Sequence, residues 1–303
     1  MTGKYLPFEQ DGVTYNLYEM PSGFVIKGDL SFNGRDLTEL PDLSDVIVEG
    51  DFDCHNNLLT SLKGAPKKVG GHFDCCYNRL TTLEGAPEEV GKSFGCHNNQ
   101  LPTLEGAPKE IGGNFSCGFN RLTSLQGAPE EIGGNFSCGM NQLTSLQGAP
   151  EEVGGSFSCS DNQIDSLQGA PQKVGGDFSC SHNKLTSLQG APQEVNGDFS
   201  CHSNPDLSSL FGLPKMPRDR KIYCDEKFLK KYDCKEADDN DGGIYYCFLI
   251  ESRKYQGEFH ADRIRQKKHQ EDIEKRERAK EKTQAAFEAW LKQNGAGKNS
   301  LEK

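Results

Sequence analysis

Phenylalanine recurs at Phe52, Phe73, Phe94, Phe115, Phe136, Phe157, Phe178 and Phe199, a constant step, and a cysteine follows two places later in every copy. A fixed period of this length over eight copies is the signature of a solenoid, because each unit is one turn of chain that buries its apolar face only against its neighbours. The unit reads F-x-C-x-x-N-x-L-x-x-L-x-G-A-P-x-x-V-G-G-x. Apolar and polar residues alternate around Phe and Cys, which predicts a short half-buried strand. The Gly, Pro and Gly-Gly letters then bend the chain back, leaving extended or tight-turn backbone for the rest of the coil rather than a regular helix. A degenerate unit, "LSFNGRDLTELPDLSDVIVEGD" from Leu30, opens the series one turn before Phe52, as an atypical terminal repeat does.

These residues resemble the leucine-rich repeat, L-x-x-L-x-L-x-x-N-x-L. Phe52 and Cys54 stand at its strand leucines, Asn57 at its asparagine and Leu59 at the leucine that follows. The resemblance covers residues 29–215, and the asparagine holds throughout: Asn57, Asn78, Asn99, Asn120, Asn141, Asn162, Asn183 and Asn204. Two departures stand out. Phe and Cys replace leucines, and a glycine, Gly70 in the second copy, takes the place of the first leucine. The short, Pro-containing units are most similar to bacterial and bacteriophage members. The resemblance implies a parallel strand ladder with an exposed concave face, and asparagines stacked in a buried ladder that satisfies loop backbone groups. The expected fold is therefore a β-rich solenoid with small capping elements and a C-terminal α-helix.

Twelve cysteines invite a disulfide reading, but eight of them occupy one inward position of successive strands. Strand spacing would hold their Cβ atoms near 4.8 Å apart, beyond the usual 3.5–4.5 Å of a bridge. They are expected to be reduced core thiols, which points to a cytoplasmic protein. The stretch from Met1 to Met20 lacks the apolar core of a signal peptide, and no segment is apolar over the length that a membrane span needs, so neither secretion nor membrane spanning is expected. The segment 1–215 holds 13 Lys+Arg against 27 Asp+Glu, whereas 216–303 holds 21 against 18. An acidic solenoid repels phosphate backbones, so a nucleic-acid partner is disfavoured.

Two positions after each cysteine drift while the others hold. On a strand face they form columns. The column between Phe and Cys runs Asp53, Asp74, Gly95, Ser116, Ser137, Ser158, Ser179, Ser200, and the one after Cys runs His55, Cys76, His97, Gly118, Gly139, Ser160, Ser181, His202. The next runs Asn56, Tyr77, Asn98, Phe119, Met140, Asp161, His182, Ser203. Exposed aromatics and Met are common interface anchors, so the candidate protein-binding residues are Tyr77, Asn98, Phe119, Met140, Asp161 and His182, with Asp53 and Asp74 beside them. The alternative is that the apolar members pack on neighbouring loops or are scattered surface residues. Asp53, His55, Asp74, Cys76 and His97 cluster on three strands, a set that reads either as zinc through Cys76, His55 and His97 or as polar surface. Their spacing matches no zinc signature, and no metal or cofactor is expected.

Residues 1–28 read as an N-terminal cap with strand-like pieces "GVTYNLYEM" and "GFVIKG", residues 29–215 as the solenoid, 216–254 as an α/β cap and 255–303 as a charged helical tail. In the cap, "KIYCDEKFLKKYDC" reads as a strand running into a short helix and "GGIYYCFLIES" as another strand. "DDNDGG" falls short of a calcium loop, because the twelfth position from Asp238 is Leu249 rather than glutamate, and is read as a turn. The tail carries i,i+4 pairs Glu271–Lys275, Asp272–Arg276 and Glu274–Arg278 and an apolar stripe of Phe287, Trp290 and Leu291, which folds back, self-associates or is captured by a partner. Non-catalytic protein binding, as an adaptor or inhibitor, is the expected function. The alternatives are an effector of the repeat-plus-ubiquitin-ligase kind, disfavoured by the shortness of the segment after the repeats and by Cys224 as its only nucleophile candidate, and nucleic-acid contact through the basic tail.

Overall fold

The computed structural model describes residues 5–217, 220–228, 235–236, 244–248 and 278. The expected C-terminal helix with its apolar stripe and the DDNDGG turn lie outside the described residues. The chain divides into two units, residues 1–250 and 251–303, and the following concerns the first.

Each turn of the coil lays down two short parallel strands, and stacking the turns builds two sheets. Pairs such as Phe52–Asp53, Phe73–Asp74 and Phe136–Ser137 form the first ladder, with Phe opposite Phe from one rung to the next. Pairs such as Lys68–Val69, Glu110–Ile111 and Glu152–Val153 form the second. Among the described residues these two sheets hold 12 and 9 strands. The Phe-Cys strand and the extended backbone expected opposite it are both present, and the opposite side is a continuous ladder in its own right.

The strands are short because each turn has few inward residues to offer on either side. Phe and Cys fill the core from one sheet, Val or Ile from the other, and two Leu close the ends; Phe136, Cys138, Leu143, Leu146 and Val153 are all buried. Phenylalanine rings form an unbroken column from Phe32 to Phe199 with centroids 5.0 to 5.7 Å apart, a spacing at which aromatic pairs add to the gain from burial.

Three polar devices hold successive turns in register. The asparagine ladder bonds as expected, although Asn141 and Asn162 are only half-buried: buried Asn120 donates through Nδ2 to the carbonyls of Cys96, Cys117 and Gly118, and its Oδ1 accepts from Leu101 N–H at 3.0 Å. Each side chain thus ties its own turn to the preceding one. A second ladder runs along the residue before each Phe. Asp51, His72, Ser93, Asn114, Asn135, Ser156, Asp177 and Asp198 each accept the N–H of the equivalent residue in the next turn. Third, cysteine thiols donate to carbonyls one rung on, as Cys138 Sγ does to Ser158 O at 3.3 Å. The glycine that departs from the leucine-rich pattern has a steric reason, since a Cβ on Gly70 would stand 2.4 Å from Glu49 O and one on Gly91 2.3 Å from Gly70 O.

The ends are closed by different means. A hairpin of Pro7–Gln10 and Val13–Asn16 leads into Val25–Ile26, already the first rung of the second sheet. Gln10 mimics a strand there, its amide donating to Val25 O and accepting from Lys27 N–H. At the other end Lys221–Asp225 adds in parallel to Phe199–Ser200, a short 3-10 turn follows at Glu226–Phe228, and Ile244–Phe248 returns antiparallel. The strands read from "KIYCDEKF" and "GGIYYCF" are thus present.

Among the described residues ten cysteines are free and buried, and burial pushes their thiols above the usual value, to about 12 for Cys159 and Cys224. The unfolded chain ionises its thiols from about pH 8.5. Below that pH both states hold the protons and the contribution is complete; above it the unfolded state releases protons that the fold retains, and stability falls. Each buried thiol should subtract about 1.4 kcal/mol per pH unit above that point. Urea unfolding between about pH 7 and 10 tests this, and a stability independent of pH over that range would contradict the burial of the thiol column.

Candidate functional site

The short strand of the first sheet ends in a sharp corner, and the corner sets what the drifting positions can do. Asn56, Tyr77, Asn98, Phe119, Met140, Asp161, His182 and Ser203 all have positive φ, between 52° and 56°. This left-handed conformation suits Gly, Asn and Asp and is strained for bulky side chains. Rung by rung the column is stitched by backbone bonds, among them Phe119 N–H to Gly139 O and Met140 N–H to Ser160 O. Tyr77, Phe119 and Met140 are nevertheless 56%, 53% and 46% exposed, the largest apolar side chains left in solvent along the repeats. Phe119 and Met140 stand on adjacent rungs, about 4.8 Å apart by strand spacing, and Tyr77 stands two rungs before Phe119, beyond half-buried Asn98. Asp161 and His182 continue the exposed column. Tyr77 makes an edge contact with the ring of His97 at 5.2 Å.

The other two columns depart from the expectation of an exposed face. Asp53 and Asp74 are half-buried, and in the column after Cys, Cys76, Gly118 and Ser181 are buried. Cys76, expected on the surface, leans over Gly95 on the next rung, where a Cβ would come within 2.9 Å of its sulfur. The absent side chain in the neighbouring copy makes room for it. Its Sγ lies 2.8 Å from His97 Nδ1, and Asp74 Oδ1 accepts its backbone N–H at 2.9 Å. Burial, then a hydrogen bond to the Asp74 carboxylate, push the Cys76 thiol far above its usual value, so it is a poor nucleophile. Cys224 is likewise buried.

The zinc set read from the sequence, Cys76 with His55 and His97, is not what assembles. His55 Nδ1 turns to Asp53 Oδ1 at 2.6 Å, and the ligand atoms that come within 4.8 Å of one another are those of Asp53, His55 and Asp74. Cys76 and His97 pair separately.

On the second sheet, Lys and Glu occupy the outward columns and pair across several rungs. Lys68 meets Glu89 at 2.6 Å, Lys109 meets Glu130 at 3.4 Å and Lys215 meets Glu194 at 3.0 Å. Such exposed pairs contribute little to stability. Glu110, Glu131 and Glu152 line an open groove there together with Gly112, Gly133 and Gly154. Among the described residues no helix is long and apolar enough to cross a membrane.

No family model matches the chain, and no curated protein matches it.

The packing of Cys76 over Gly95 has a direct readout. Gly95→Ala should displace the thiol outward and raise its native-state alkylation rate by more than about tenfold, because reactivity follows exposure, with peptide-resolved mass spectrometry reporting Cys76. An unchanged rate would mean that Gly95 does not hold the cavity.

Proposed function

We propose that the chain is a non-catalytic protein-binding module, an adaptor or inhibitor that captures a partner protein on the solvent side of its first sheet. The anchors are Tyr77, Phe119 and Met140, flanked by Asn98, Asp161 and His182, with Asp53 and Asp74 at one end. The observation that carries the reading is the combination of strain and exposure at the three apolar residues. Each sits at a left-handed backbone position, where a bulky residue costs of order 1–3 kcal/mol, and each presents apolar surface to water. Asn56 and Asn98 occupy the same column, and Asn suits that backbone better. Apart from the edge contact of Tyr77 with His97, the three side chains stay largely in solvent, and a partner that buries them gains their apolar surface.

The Phe, Cys, Asn and Leu pattern favours the leucine-rich-repeat type of coil, of the bacterial or phage kind, as its ancestry. The free buried thiols favour a reducing compartment such as the cytoplasm.

Replacing all three anchors with asparagine tests the reading with two readouts of opposite sign. Relief of backbone strain should raise thermal stability, by about 1 kcal/mol or more in total, while affinity for a partner captured by the wild-type chain should fall by more than about 2 kcal/mol. A destabilised variant would mean that the three residues serve the fold. A more stable variant that binds as tightly as wild type would place the interface elsewhere.

A further inference from the structure

Asp53 and Asp74 occupy the same position on adjacent rungs and stand in register in the parallel ladder. Like charges so placed are destabilising. The coil does not require them, because the copies from Phe94 onward carry Gly or Ser at this position and close in the same way. His55, on the same turn as Asp53, holds its Nδ1 2.6 Å from Asp53 Oδ1, and one ligand atom from each of the three residues lies within 4.8 Å of the others. Donor atoms bound at about 2.0–2.2 Å to a common tetrahedral ion are about 3.3–3.6 Å apart, so small side-chain rotations bring the set into range.

The carboxylates are already oriented. Asp53 Oδ1 accepts the backbone N–H of His55 at 3.0 Å and its Oδ2 the Ser31 hydroxyl at 3.3 Å, while Asp74 Oδ1 accepts the backbone N–H of Cys76. Bonds of this kind fix the direction of metal-binding groups. One oxygen from each Asp and the imidazole Nδ1 make a mixed oxygen and nitrogen donor set, with room for solvent because all three side chains are only half-buried. Such a set suits a borderline divalent ion more than calcium or magnesium, which take oxygen alone.

We propose that Asp53, His55 and Asp74 form a binding site for one divalent transition-metal ion of the zinc class, at the N-terminal end of the exposed column. The ion replaces repulsion between two in-register carboxylates with attraction to both, and so joins two successive turns next to Tyr77. Cys76 takes no part, since its sulfur is not among the ligand atoms that come together and it pairs with His97 Nδ1 at 2.8 Å.

The test uses the full, tag-free chain stripped with chelator and titrated with Zn2+ by calorimetry near neutral pH. One ion should bind, and Zn2+ should raise the melting temperature. Asp53→Ser with Asp74→Ser installs the residue that later copies carry. This variant should melt without metal at least as high as wild type, bind Zn2+ more than about tenfold more weakly and lose the shift in melting temperature. Cys76→Ser should bind as wild type does. Absence of wild-type binding at about millimolar Zn2+ overturns the proposal. So does unaltered affinity in the double variant, which would assign the ion to another site such as the His182–His202 pair, whose rings are 5.2 Å apart. Loss of binding in Cys76→Ser would replace the proposed donor set with a thiolate one.

Discussion

A chain that closes on itself once per short repeat turns so often that its corners strand backbone carbonyls in the interior, where an unpaired polar group is costly. The asparagine amide resolves this. In Asn120 its two hydrogens and one oxygen reach the carbonyls of its own corner and both a carbonyl and an N–H of the turn before, so one side chain satisfies the corner and couples it to its neighbour. The phenylalanine column, the thiols and the outer acceptor ladder all rely on the rung spacing that this contact fixes. With each turn tied only to the adjacent ones, the solenoid behaves as a one-dimensional stack, and its stability resides at the interfaces between turns.

That division separates residues that build the coil from residues that the coil merely carries. Phe, Cys, Asn and Leu face inward and must match from turn to turn. The left-handed corner residue is stitched to the next rung by its backbone, with ring contacts only at Tyr77–His97 and His182–His202 among the described residues, and there the sequence drifts from Asn to Tyr, Phe, Met, Asp and His. On the proposed reading, a position that could take the better-suited Asn but holds an exposed, strained Tyr, Phe or Met answers to a partner rather than to the fold. The Asp53 and Asp74 rungs follow the same logic with charge in place of backbone strain.

Much of this is legible in the sequence, because a constant period with invariant Phe, Cys and Asn leaves few architectures open. The inward cysteines and the asparagine ladder follow from position alone. The second sheet is harder to see, since a Glu-Val strand is too short to show an alternation. The acceptor ladder at Asp51, His72 and Ser93 is hidden by variation in residue type, although every member is a short side chain with an acceptor atom. The burial of Cys76 depends on a glycine one turn away, and the positive φ at Tyr77 on a corner geometry that the letters do not state. Pairwise facts across turns are what single-turn patterns omit.

The coupling role of the asparagine amide is tested most directly by Asn120→Asp beside Asn120→Ala, with unfolding free energies measured near neutral pH. Aspartate has the same shape and keeps an acceptor for Leu101 N–H, but it turns an oxygen toward the carbonyls of Cys96, Cys117 and Gly118. The account predicts that alanine lowers stability by about 1–3 kcal/mol and that aspartate lowers it at least as much. An aspartate variant as stable as wild type would contradict the claim that the buried amide holds the turns together.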